Sequence, residues 1–265
     1  MTRRFLSFTC EGAILQATLD EAPGPVGLLI VSGGNEIRSG AFGGQADLAK
    51  AMQACGYSVM RFDRRGIGDS GGENGGFQGS APDIRAAIAA FRDECPALSR
   101  VVAYGNCDAA SALMLSGGAG CDGVVLSNPW PFEADGETGT PPAVARARYA
   151  ERFRQPRALG RFASGGKILA RLFKALRASV GSAPAPSRLM RDMESALDDF
   201  GGETTILISS LDRTGQAFNA DWRGDGHIVT VDGADHAFSG REARAQLYDA
   251  IGSALHEQAR QLDMG

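Results

Sequence analysis

One eleven-residue stretch limits the architecture more than any other: residues 101–111, V-V-A-Y-G-N-C-D-A-A-S. Four β-favouring residues run straight into Gly105-Asn106-Cys107-Asp108-Ala109. Small residues two places before and two places after the cysteine are what a sharp strand-to-helix turn demands, because bulk at either place would collide with neighbouring backbone. This is the outline of a nucleophile elbow, G-x-S-x-G, with cysteine for serine and alanine for the last glycine. The turn lifts the Cys107 sulfur onto the N-terminus of the following helix, where the dipole and free N–H groups favour a thiolate. Read alone, the stretch also suits a buried structural thiol, since free cysteine is among the most buried residue types. Partners later in the chain decide between the two.

The flanking sequence repeats one alternation. Residues 5–10 and 13–19 read as two strands around Glu11-Gly12, a hairpin. Residues 26–31 are continuously apolar, as in a strand buried on both faces, and end in Ser32-Gly33-Gly34-Asn35. That glycine-rich loop either turns backbone N–H groups inward or is an ordinary strand-to-helix turn. Residues 46–55 carry helical spacing at Leu48, Ala49 and Met52 and stop at Gly56; residues 57–62 form the next strand. Gly66, Gly68 and Gly71 fit G-x-G-x-x-G, yet Gly72, Gly75, Gly76 and Gly79 follow before any helical pattern. A dinucleotide fingerprint opens a helix at once, so a nicotinamide cofactor is discounted. Ser80 caps a helix with Pro82 in its first turn. Residues 121–128, 204–209 and 227–231 are further strands, and a closing helix spans 241–261. Strands alternating with helices in this manner predict an α/β fold around a doubly wound, mostly parallel sheet.

The alternation stops between residues 131 and 202. Within it, residues 141–191 hold twelve Lys or Arg against one acid, Glu151, in a chain whose net charge is −4. Residues 167–180 set Ile168, Leu169, Leu172, Phe173, Leu176 and Val180 on one stripe and Lys167, Arg171, Lys174 and Arg177 on the other side. The expectation is therefore a core of residues 1–130 and 203–265 with a helical cap, residues 131–202, over the active edge. The basic face suits solvation, an anionic substrate or peripheral membrane contact. Overall acidity argues against nucleic-acid binding. Five widely spaced cysteines form no C-x-x-C, so neither a disulfide framework, a zinc site nor any cofactor is expected. With a short, broken apolar start and no run of ~18–20 apolar residues, a cytoplasmic location is expected.

Cys107, Asp212 and His236 each follow a predicted strand, at the edge where open α/β sheets place ligands. In that arrangement His236 takes the cysteine proton and Asp212 orients the imidazole. An oxyanion would be met by the Asp108 N–H and a second N–H from Gly34 or Asn35. Alternatives stay open for the acid: Asp212 as a helix cap, with Glu133 or Asp135 in its place. Asp235 reads as a loop carboxylate, His227 and His256 as poorly placed, and Ser111 as helix packing.

These residues carry a resemblance. The runs R-F-D-R-R-G-I-G-D-S at 61–70, C-D-A-A-S at 107–111 and N-P-W at 128–130 resemble the α/β-hydrolases called exosortase A system-associated hydrolase 1, as does the basic segment at 148–167. The resemblance implies the α/β-hydrolase fold and an association with bacterial exopolysaccharide and protein-sorting gene clusters. Ser32-Gly33-Gly34-Asn35-Glu36 departs from that group's G-G-P-type loop. Three functions follow as expectations: a cysteine-dependent ester or thioester hydrolase, an acyltransferase using the same triad, and a non-catalytic scaffold docking to a membrane-associated assembly. The substrate would be a small-molecule or carrier-bound acyl compound.

Overall fold

A computed structural model of the chain describes residues 2–133 and 187–264. Eight strands form one sheet in the order β1-β2-β4-β3-β5-β6-β7-β8. They are β1 (Thr2–Cys10), β2 (Ala13–Glu21), β3 (Val26–Val31), β4 (Ser58–Phe62), β5 (Arg100–Asn106), β6 (Gly123–Ser127), β7 (Glu203–Ser209) and β8 (His227–Val231). β1 and β2 pair antiparallel, as do β2 and β4; every other pair is parallel. This is the α/β-hydrolase fold.

Local chemistry explains the elements. Glu11 and Gly12 both take positive φ (47° and 82°), the geometry that turns a tight hairpin in step with strand twist. β3 is buried along its whole length, as its unbroken apolar run predicts. Its residues alternate between the two sides of the sheet. Leu29 and Val31 join one core with Phe62, Ile84, Phe91 and Leu113; Leu28 and Ile30 join the other with Leu48, Leu207, Leu247 and Ile251. Each such side chain contributes about 1.5–3 kcal/mol by leaving water.

Six helices flank the described sheet: α1 (Gly44–Ala54), α2 (Ala81–Glu94), α3 (Asp108–Leu115), α4 (Arg188–Asp198), α5 (Arg213–Asp221) and α6 (Arg241–Met264). α1 and α6 cover one face; α2, α3, α4 and α5 cover the other. α1 ends at Gly56, whose φ of 93° supplies the left-handed step that stops a helix. Ser80 does not cap α2 through its side chain as expected. Its hydroxyl instead accepts from Arg64 Nη1 at 2.9 Å and donates to the Gly76 carbonyl at 2.7 Å.

Residues 134–186, including the 167–180 helix, Asp135 and most of the basic segment, lie outside the described residues. Within residues 187–202, one helix packs on the core. The Ser187 hydroxyl accepts the Met190 N–H at 3.2 Å and starts α4. Leu189, Met190, Met193 and Leu197 then bury one face of that helix in the core that holds α3. Their spacing of one, four and eight is that of a helix with a single apolar stripe. Among the described residues, no helix is long and apolar enough to cross a membrane.

Candidate active site

The elbow sits between β5 and α3. Cys107 takes φ 60° and ψ −126°, a conformation that L-residues rarely adopt, and is half-buried. The strain is held by its surroundings. Its N–H donates to the Ser127 carbonyl at 2.9 Å, and its carbonyl accepts from Ser111 N and Trp130 N, both at 3.3 Å. A Cβ on Gly105 would stand 2.8 Å from the Ala109 carbonyl carbon and the Ala110 nitrogen. The small-residue pattern is therefore a steric requirement of the turn. Ser111 is fully buried, donating to the Trp130 carbonyl at 2.9 Å and accepting the Trp130 N–H at 2.7 Å. It packs the helix.

Asp212 and His236 arrive from the ends of β7 and β8. Asp212 is buried and divides its two oxygens between two partners. Oδ2 accepts the Gly215 N–H at 2.8 Å, capping α5, while Oδ1 lies 3.2 Å from His236 Nδ1. One carboxylate thus caps α5 and lies within hydrogen-bond reach of His236. Glu133 turns elsewhere, accepting the Leu189 N–H at 3.3 Å. Asp235 accepts the N–H of Ser239 at 2.8 Å and its hydroxyl as well, as a loop carboxylate would. The imidazole pKa is pushed up to about 10, first by Asp212 and then by the nearby Cys107 sulfur, against some opposing desolvation. Asp212 is held below the usual carboxylate range by the imidazole and by the Gly215 and Thr214 N–H groups, although burial opposes this.

A polar brace beneath the site ties the strand ends together. The Asn106 amide donates to the His236 carbonyl at 3.2 Å and accepts from Ser127 Oγ at 2.9 Å and Asn128 Nδ2 at 3.3 Å. Asn128 in turn accepts the Ser209 N–H at 2.8 Å and donates to Ser209 Oγ at 3.0 Å. Beside His236 lies a cavity of about 130 Å³, whose lining includes Glu36, Tyr104, Asn106, Ser239, Arg244 and Tyr248.

The 33–36 loop has its own brace, which sequence reasoning missed. The Gly34 N–H donates to Asp108 Oδ1 at 2.5 Å, so it is already engaged, while the Gly34 carbonyl accepts from Arg64 Nη2 at 2.6 Å. Arg64 is 3% exposed and also stands 3.6 Å from Asp108 Oδ2. Asp63, fully buried, accepts the Arg38 N–H at 2.6 Å and pairs with the Arg38 guanidinium, pinning the same loop from its far side. Arg65 pairs with Asp83 and Glu11. The signal was present in the sequence: three charged residues ending an apolar strand, where most of them must be buried and therefore paired. The glycines after them close a loop on itself, with Gly66 N donating to the Gly71 carbonyl at 3.0 Å. Among the described residues, no three His, Cys, Asp or Glu side chains gather as a metal site would require.

Residues 27–195 match the family described as serine aminopeptidase, S33. The esterase Pf2001 of Pyrococcus furiosus superposes with a TM-score of 0.63 at 15% identity, over 97% of this chain and 90% of that one. The α/β hydrolase GrgF of Penicillium sp. sh18 gives 0.63 at 18% identity, over 96% and 99% of the two chains. Est1E of Butyrivibrio proteoclasticus, solved with ferulic acid bound, gives 0.60 at 14%, over 96% and 98%. At such identities the likeness is one of fold. No curated protein matches the sequence.

Proposed function

The chain belongs to the serine aminopeptidase S33 family of α/β-hydrolases, and from that premise we propose that it hydrolyses a carboxylic ester or thioester through an acyl-cysteine on Cys107. One observation carries this reading: a half-buried cysteine on a strained elbow lies near an imidazole whose Nδ1 stands 3.2 Å from a buried carboxylate. A serine gives the family its name, and on this reading Cys107 does that serine's work. The finer resemblance to exosortase A system-associated hydrolase 1 rests on the 61–70, 107–111 and 128–130 runs.

In the proposed reaction His236 takes the Cys107 proton, leaving a thiolate beside an imidazolium that Asp212 stabilises. The sulfur attacks the acyl carbon and the carbonyl π pair moves onto oxygen. The C–O or C–S bond to the leaving group then breaks as the tetrahedral adduct collapses, and the imidazolium proton goes to the departing atom. His236 is now neutral and takes a proton from water, whose oxygen attacks the thioester. Collapse releases the acid and returns the thiolate and imidazolium. Transfer to a sugar hydroxyl or an amine differs only in what replaces water. Turnover in water, compared with turnover plus an added alcohol or amine, distinguishes the two. The esterase name of Pf2001 and the ferulic acid held by Est1E make aryl and alkyl carboxylic esters the first substrates to try.

The test is an ester and thioester panel with mass spectrometry of the intact protein. The expected result is turnover with an acyl mass on Cys107, lost in Cys107→Ala and reduced to a trace in Cys107→Ser. Turnover that survives Cys107→Ala would remove the mechanism.

A further inference from the structure

The second oxyanion donor is decided by where the first candidate's hydrogen goes. Residues 33–36 form a tight turn in which Glu36 N donates to the Gly33 carbonyl at 2.9 Å. Gly34 takes φ 53°, and nothing lies within 4 Å of where its Cβ would be, so glycine is required there for conformation and not for space. Gly33 is the reverse case. Its Cβ would meet the Asn106 carbonyl oxygen and Asp108 Oδ1, each at 2.8 Å, so the turn lies flat against the elbow. The turn itself satisfies the Glu36 N–H, and the Asp108 carboxylate satisfies that of Gly34. The Asn35 N–H has no acceptor among the described residues. Asp108, the first residue of α3, has no acceptor within the helix for its own N–H.

We propose that Asp108 is a positioning residue, whose carboxylate fixes the 33–36 turn through the Gly34 N–H so that the Asn35 N–H joins the Asp108 N–H in meeting the oxyanion. Two contacts make the clamp rigid. Arg64 holds the Gly34 carbonyl at 2.6 Å and balances the Asp108 charge from 3.6 Å, so a carboxylate beside a developing negative charge is offset by a buried guanidinium. The Gly34 peptide is thereby gripped at both its N–H and its C=O. The inference rests on the acyl-cysteine reading above and adds the residue that aligns its oxyanion site.

The experiment compares wild type, Asp108→Ala and Asp108→Asn on three readouts. The first is steady-state turnover of an ester from the panel. The second is protection of Cys107 against iodoacetamide by a simple aliphatic aldehyde. The aldehyde adds the sulfur at its carbonyl carbon and moves the π pair onto oxygen, with no leaving group and no further reactant. The third is the rate of iodoacetamide alkylation itself, a displacement that forms no oxyanion. In Asp108→Ala, kcat falls about 100-fold with KM within about threefold, aldehyde protection weakens in parallel, and alkylation stays within about twofold. Asp108→Asn, whose amide oxygen accepts the same N–H, recovers to within about tenfold of wild type. Turnover in Asp108→Ala equal to or above wild type overturns the proposal, because the carboxylate is then a bystander or an obstruction. So does an equal fall in alkylation, because the elbow itself has then moved. Wild type that shows neither turnover nor aldehyde protection instead sinks the acyl-cysteine reading, and this inference with it.

Discussion

Asp212 serves two structures at once, and its two roles respond differently to substitution. Asn caps helices about as well as Asp, so Asp212→Asn keeps α5 nucleated while removing the charge that holds His236 protonated. The expected outcome is a His236 titration moved down from about 10 towards its ordinary value, with little loss of thermal stability, read by NMR of the imidazole and a melting curve. Asp212→Ala should cost a further ~1 kcal/mol from the lost cap. The sign of the pH effect follows from the directions of the shifts. A histidine raised on folding adds stability that is whole below about pH 6.5 and is lost as pH rises towards 10. Asp212, lowered on folding, adds stability that is present above its unfolded value and lost as pH falls through the folded one. Stability from the pair is therefore greatest between about pH 4 and 6.5. Activity, which needs the His236 proton for the leaving group, should persist through neutrality and decline near pH 10. A decline centred at 6.5 would show that Asp212 does not hold the ring.

At the scale of elements, the elbow was legible because sterics leave it few options. Gly105 is forced by approaches of under 3 Å to the Ala109–Ala110 backbone, and a five-residue window displays that constraint. Gly105→Ala should accordingly destabilise the protein by about 1–3 kcal/mol and abolish turnover, by denaturant titration and assay. α4 was not legible as a core helix. Its stripe of Leu189, Met190, Met193 and Leu197 is short and follows a long basic stretch, and composition cannot say which neighbour a stripe will meet. Only the partner surface on α3 decides that. Met193→Ala, which empties a fully buried position, should cost about 2–5 kcal/mol by denaturant titration. The loop braces were illegible for a different reason. Arg64 reaching Gly34 and Asp108 joins residues 30 and 44 apart in the chain, and no local pattern encodes such a pairing.

Across the whole molecule, five thiols occupy sharply different surroundings. Cys10, Cys95 and Cys121 are buried, with burial pushing Cys10 to about 11 and Cys121 to about 12. Cys55 is exposed and Cys107 half-buried. Brief iodoacetamide treatment at neutral pH should therefore mark only Cys55 and Cys107, and His236→Ala should slow labelling at Cys107 alone, by peptide mapping. The order of chemistry along the chain (thiol, carboxylate, imidazole) could be read from strand ends because a parallel sheet puts successive strand ends on one edge. What it could not reveal is how those ends are spaced. Asn106, the residue just before the sulfur, grips the peptide oxygen of the imidazole-bearing residue. The gap between His236 and Cys107 is thus gauged from the elbow outward and owes little to the length of the 232–240 connection. Its exposed positions are accordingly free to drift over evolution, provided the His236 ring is kept and one carbonyl stays within the amide's grasp.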